Sequence, residues 1–215
     1  QNPKIAGFTT NPTLMRKSGV EKYVEFAQEF ISLCPNMPIS FEVFADDFSE
    51  MLEQAKIISS WGENVFVKIP ITNTKGDVSF ELISSLTTLK IKVNVTAIFT
   101  LEKCINLKRH LDPSVPSVIS VFAGRIADAG VDPMPIMKDV VELFGDMPLA
   151  EVLWASPRQL FNIVEAEKVG CDIITVPNDL IKKMPTIGKD LDIFSLETVN
   201  MFFDDANEAG YNLTA

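Results

Sequence analysis

Two patterns of apolar residues alternate along this chain. One is a set of short runs rich in β-branched and aromatic residues, which read as strands: Ile5–Thr10, Ile39–Phe44, Val65–Ile69, Lys92–Phe99, Val118–Ala123, Glu151–Ala155 and Asp172–Val176. The other is a helical stripe between the runs. Val20, Tyr23, Val24, Ala27, Phe30, Ile31 and Cys34 repeat at the helical period. Phe48, Met51, Leu52, Ala55 and Ile58 form the next stripe, with Asp47 and Glu50 placed as a helix start. Val78 to Leu86, Leu101 to Leu111, Ile136 to Phe144 and Leu160 to Val169 give four more. Two further helices are predicted near Asp179–Met184 and Ser195–Ala209.

Strands that alternate with helices at this spacing predict βαβ units and a parallel sheet. Most of the strands are apolar on both faces, as a sheet covered on both sides requires. Neither GxGxxG nor GxxxxGK[ST] occurs, so no nucleotide-binding fingerprint favours a doubly wound sheet. The expected fold class is α/β, a (β/α)8 TIM barrel forming one domain over residues 1–215, C-terminal helices included. Only seven strands are legible, so the first strand of the eight is expected ahead of Ile5.

Composition supports a sizeable core: 47% of the 215 residues are apolar and 22% charged. The formal net charge of −10 opposes the basic footprint of a nucleic-acid binder, yet a few arginines can still make a local anion pocket. No apolar run approaches the ~18 residues of a membrane span. Cys34, Cys104 and Cys171 are odd in number and far apart, which predicts reduced thiols in a cytoplasmic protein. The single histidine, His110, ends a helical pattern, so no Ser-His-Asp or Cys-His device is expected. No Cys or His cluster suits zinc, and Asp46–Asp47 and Asp204–Asp205 read as helix-terminal or solvated. Neither a metal nor a cofactor is expected.

In barrels of this kind chemistry sits at the C-terminal ends of the strands. Thr9, Thr10, Asn11, Glu42, Lys68, Asn94, Thr96, Ser120, Arg125, Ser156 and Arg158 are the polar groups there, from six strands. Each has a plain alternative. Asn11–Pro12 is a turn signal. Glu42 could face solvent, Asn94 and Thr96 could face helices, and Arg125 could pair with Asp128. Ser156-Pro-Arg-Gln fits a helix N-cap with proline at the first position. Lys68, within NVFVKIPIT, poses the sharpest choice. It either reaches solvent from a strand edge or is an amine held in apolar surroundings for covalent chemistry, where desolvation favours its neutral form.

Five segments then fall in order. GFTTNPTLM (Gly7–Met15), VKIP (Val67–Pro70), NVTAIF (Asn94–Phe99), ISVFAGRI (Ile119–Ile126) and WASPR (Trp154–Arg158) together resemble the transaldolase family, particularly its small members. The resemblance implies a class I mechanism on sugar phosphates. Lys68 would be the Schiff-base nucleophile, with Glu42 and Thr96 holding a water and moving protons. Asn11 and Asn94 would hold substrate hydroxyls, Ser120 would contact the ketose end and Phe122 would shape the pocket. Arg125, Ser156 and Arg158 would grip the phosphate. Family members of the fructose-6-phosphate aldolase type carry Gln and Tyr where this chain has Glu42 and Phe122, so transfer of a dihydroxyacetone unit is favoured over release.

The resemblance further implies a first strand ending in an aspartate that takes the proton of the substrate's C4 hydroxyl, and that strand is expected ahead of Gln1. A sugar-phosphate-binding barrel impaired in catalysis is the alternative of another class, and a plain structural barrel is a third. Small transaldolases resemble ring-forming assemblies, so a homo-oligomer is expected. Phe194, Met201, Phe202 and Phe203 could serve a neighbour or contact the core, and their spacing favours the core.

Overall fold

A computed structural model describes residues 5–213. The chain divides into two compact units, one running to Val176 and the other starting at Pro177. In the first unit β1 (Phe8–Thr9), β2 (Ile39–Glu42), β3 (Val65–Pro70), β4 (Val93–Ile98), β5 (Ser117–Val121), β6 (Ala150–Trp154) and β7 (Ile173–Ile174) make one sheet. Its spatial order is the chain order, and every neighbouring pair is parallel. Helices fill the crossovers: α1 (Pro12–Lys17), α2 (Tyr23–Leu33), α3 (Phe48–Ser59), α4 (Phe80–Thr88), α5 (Leu101–Lys108), α6 (Ala123–Asp128), α7 (Pro133–Phe144) and α8 (Phe161–Val169). Sequential parallel strands with helical crossovers are the architecture of a TIM-type barrel.

All seven expected strands are present. The two outermost are shorter than their apolar runs. β1 and β7 each have a single strand neighbour among the described residues, so half of their backbone groups lack a ladder partner. Two short helices are additional to the expected set. α1 begins where Asn11–Pro12 reads as a turn: Asn11 Oδ1 accepts from the Leu14 amide at 2.8 Å, and proline stands at the first helical position. α6 buries Ala123, Gly124 and Ile126.

The pleat sorts side chains into two layers. Outward-facing Phe41, Val67, Ile69, Val93, Val95, Ile119, Val121 and Trp154 pack with Ala27 of α2, Met51 of α3, Leu86 of α4, Leu107 of α5 and Met137 of α7 in one continuous core. On the other face a small separate cluster, Phe66, Val118, Leu153 and Ala155, packs with Phe122 and Ile173. Polar side chains share that inner face, as the register shows: Glu42 lies opposite Lys68, and Lys68 opposite Asn94. β4 contains a bulge. Val95 pairs with Ile119, but the next pair is Ile98 with Val121, and Ala97 takes φ +59°. The extra residue leaves Thr96 on the inner face and returns Ile98, fully buried, to the outer core.

The second unit comprises α9 (Asn178–Lys183), a 3-10 turn at Met184–Thr186 and α10 (Leu191–Glu208). Asp190 Oδ1 caps α10 by accepting from the Asp192 and Ile193 amides at 3.0 Å each. Lys189 pairs with Glu197 and lies over the Phe194 ring. Phe194, Met201, Phe202 and Phe203 are exposed.

Candidate active site

β3 supplies the central group. Lys68 is only 7% exposed, which removes the strand-edge reading in which its ammonium reaches water. Its Nζ donates to the Thr10 carbonyl at 3.1 Å and lies 3.2 Å from Glu42 Oε2. The Glu42 side chain is 16% exposed, so it faces its lysine rather than solvent. A buried ammonium demands such partners. The carboxylate is also within reach to take the amine's proton.

Beside this pair runs a chain of buried polar groups. The Ser120 hydroxyl donates to Asn94 Oδ1 at 2.7 Å, and Asn94 Nδ2 donates to Ser40 Oγ at 2.9 Å. The Thr10 hydroxyl donates to the Ser40 carbonyl at 2.9 Å. Asn94, Thr96 and Ser120 face inward and do not pack against helices. Thr96 Oγ1 is buried with no hydrogen-bond partner in the protein, and an orphaned hydroxyl on the face that carries the Lys–Glu pair is suited to hold a water or a substrate oxygen. Ser40 is the residue that sequence reasoning misses. It stands two positions before Glu42, so strand alternation places it on the same face.

Asn11 belongs less closely to this group, because its side-chain oxygen caps α1. Phe122 follows β5, tilted against Phe99 at 5.6 Å, and the Arg125 guanidinium lies 5.4 Å from the Phe122 ring centroid. Arg125 does not take Asp128. That carboxylate instead accepts from Arg158, at 2.8 Å from Nε and 2.5 Å from Nη2.

Ser156 is not a helix N-cap. α8 begins at Phe161, and Ser156 sits at φ +62° with its carbonyl turned against α6. Asn162 instead gathers the loop amides, its Oδ1 accepting from Arg158 at 2.7 Å and from Gln159 at 3.1 Å. The approach to α6 is so close that only glycine fits at 124: a Cβ there would stand 1.6 Å from the Ser156 oxygen. Arg125, Ser156 and Arg158 thus follow β5 and β6 at the same strand ends that carry Lys68 and Asn94.

The remaining candidates stay outside the site. His110 stacks on Phe80 at 5.1 Å, with Nδ1 2.9 Å from the Asn106 carbonyl. All three cysteines are free, and burial pushes Cys104 and Cys171 up to about 12. Asp47 caps α3, and Asp46 accepts from Thr74 at 2.7 Å. Among the described residues no group of His, Cys, Asp or Glu is arranged to hold a metal, and no helix is long and apolar enough to cross a membrane.

The family model described as transaldolase/fructose-6-phosphate aldolase matches residues 1–215. A probable transaldolase of Dehalococcoides mccartyi is 34% identical over 181 residues, which is 84% of this chain and 80% of the relative. A probable transaldolase 2 of Listeria monocytogenes is also 34% identical, over 84% of this chain and 78% of its own length. Among solved structures, a mandelate oxidase mutant with a monooxide FMN adduct aligns over 69% of this chain with a TM-score of 0.51 and 15% identity, a likeness of fold alone. The chain spans about half the length of that enzyme, 50% of it.

Proposed function

This chain belongs to the transaldolase/fructose-6-phosphate aldolase family, and from that premise we propose that it moves a dihydroxyacetone unit between sugar phosphates through an imine on Lys68. The observation that carries the reading is the buried Lys68 amine, 3.2 Å from the Glu42 carboxylate on the inner face of the sheet. The reaction is sedoheptulose 7-phosphate plus glyceraldehyde 3-phosphate to erythrose 4-phosphate plus fructose 6-phosphate, a step of the pentose phosphate pathway in the cytoplasm. A homo-oligomeric assembly is part of the same proposal.

Glu42 takes a proton from the Lys68 ammonium. The neutral amine attacks the ketose C2 carbon to give a carbinolamine. Glu42, with a water on the Thr96 hydroxyl, returns a proton to the departing hydroxyl, and water leaves as the protonated imine forms. Cleavage of C3–C4 sends the bonding electrons into the iminium, leaving an enamine on Lys68 and an aldose phosphate. The C4 hydroxyl proton goes to a base, for which the family resemblance offers the aspartate of its first strand. The enamine then attacks an acceptor aldehyde, and hydrolysis frees Lys68. Asn11 and Asn94 hold substrate hydroxyls, Ser120 the ketose end, and Phe122 shapes the pocket. Arg125, Ser156 and Arg158 take the phosphate, the two guanidinium charges drawing an anion to a protein of net charge −10. Glu42 and Phe122 favour transfer over release.

Intact-mass spectrometry after borohydride reduction with fructose 6-phosphate tests this, beside Lys68→Ala. A three-carbon adduct on the wild-type chain alone is expected. An uncleaved sugar-phosphate adduct would move the chain to the impaired, binding-only class. An adduct in neither protein, or in both, would overturn the role of Lys68.

A further inference from the structure

Resting on the Lys68 reading, we propose that Ser40 is a positioning residue for Asn94, its hydroxyl fixing the plane of the amide that meets the substrate. Asn94 is 1% exposed, so bulk water does not hold its side chain. A primary amide has two N–H donors and two acceptor lone pairs. Here one donor goes to Ser40 Oγ at 2.9 Å, and one lone pair receives the Ser120 proton at 2.7 Å. The amide is therefore held at both ends and cannot turn about its last torsion. One N–H and one lone pair remain for a ligand, at a fixed orientation beside Lys68.

Ser40 is itself 6% exposed, and its backbone is tied to β1 through the Thr10 hydroxyl. Thr10 is the residue whose carbonyl accepts from Lys68. The serine thus stands at the junction of the amine's support and the amide's support. As it accepts from Asn94, its own O–H proton is free to be donated further. Removing the hydroxyl leaves a buried N–H unpaired and frees the amide to swing, which loosens the geometry a reacting hydroxyl needs.

The test compares Ser40→Thr with Ser40→Val, which differ by a hydroxyl against a methyl at equal volume. Transfer from fructose 6-phosphate to erythrose 4-phosphate is followed, with the melting temperature of each variant. The valine variant is expected to lose about tenfold in kcat/KM relative to the threonine variant, the worth of one hydrogen bond. The loss is expected chiefly in kcat, and borohydride trapping at Lys68 should persist. Should the valine chain not fold, Ser40→Ala against Ser40→Thr makes the same contrast. Asn94→Ala closes a double-mutant cycle. Once the amide is gone, loss of the Ser40 hydroxyl should have little further effect. Equal kinetics for the variants with and without the hydroxyl would overturn the proposal, as would effects that simply multiply across the cycle. Failure of the wild-type chain to trap substrate would count against the Lys68 reading instead, so the two failures are distinguishable.

Discussion

Neutralising Glu42 while leaving Lys68 in place should unfold this protein more readily than neutralising both. The two charges stand 3.2 Å apart, and their attraction at an effective dielectric near 20 is about 5 kcal/mol. Most of that offsets the desolvation of the two ions. Glu42→Gln removes the attraction but leaves the desolvation of the lysine, whose side chain is 9% exposed with the Thr10 carbonyl as its other acceptor. Breaking a buried pair from one side costs about 3–5 kcal/mol, and the partial exposure of Glu42 argues for the lower end. A loss of about 3 kcal/mol lowers the melting temperature by roughly 6–12 °C for a chain of this size.

Lys68→Met replaces the ammonium by an apolar group of similar length and leaves the more exposed partner alone, for about 1 kcal/mol. The double variant Lys68→Met/Glu42→Gln has no uncompensated charge and should lie within about 1 kcal/mol of wild type, a coupling of about 3 kcal/mol. Thermal and urea unfolding followed by circular dichroism measures all four proteins. Single effects that add in the double variant to within about 0.5 kcal/mol would refute the reasoning, because the charges would then not be interacting.

Three further outcomes follow from local geometry. Gly124→Ala forces a methyl into the Ser156 carbonyl, so it should lower the melting temperature by several degrees and, if the proposed phosphate grip by Arg125, Ser156 and Arg158 holds, reduce the stabilisation that inorganic phosphate is expected to give the wild type. Ala97→Gly should leave stability unchanged or raise it by up to about 1 kcal/mol, while Ala97→Val, β-branched at φ +59°, should lower it; thermal denaturation ranks the three. Because burial holds Cys104 and Cys171 near 12, both stay almost wholly protonated at pH 8. Iodoacetamide should modify neither in the folded protein and both after denaturation, as peptide mass mapping will report.

The strand and helix order is legible because the layer between sheet and helices is apolar and strictly periodic. α1 and α6 are not: proline at 12 reads equally as a turn or as a first helical residue, and α6 starts at Ala123, inside the apolar run that reads as the fifth strand. Lys68 stands out by its apolar surroundings, and the structure shows why that strand tolerates it: Glu42 stands opposite in register. The bulge is hidden because NVTAIF looks like an unbroken strand, and nothing in the letters marks Ala97 as the extra residue. The Ser156 motif fits a cap, whereas the loop amides are gathered by Asn162, six residues on in the chain. Ser40 is lost among the apolar letters of its strand, although its spacing from Glu42 carries the signal. Asp128 pairs on paper with the nearer arginine in sequence, while the fold brings Arg158 to it.

Val67 and Lys68 are adjacent in the chain, yet one holds helices to the sheet and the other meets the Glu42 carboxylate on the inner face. Folding information and chemical information are interleaved here at a period of two residues. Inner-face letters can be rewritten singly without touching the outer layer. Adding or deleting one residue within a strand would instead exchange the two sets wholesale, driving a lysine under the helices and a valine toward the substrate. A change of strand length therefore disturbs both layers at once, whereas a substitution on the inner face disturbs only one. The one place among the described strands where a residue has been admitted is Ala97, where a left-handed backbone absorbs it and the alternation resumes at Ile98.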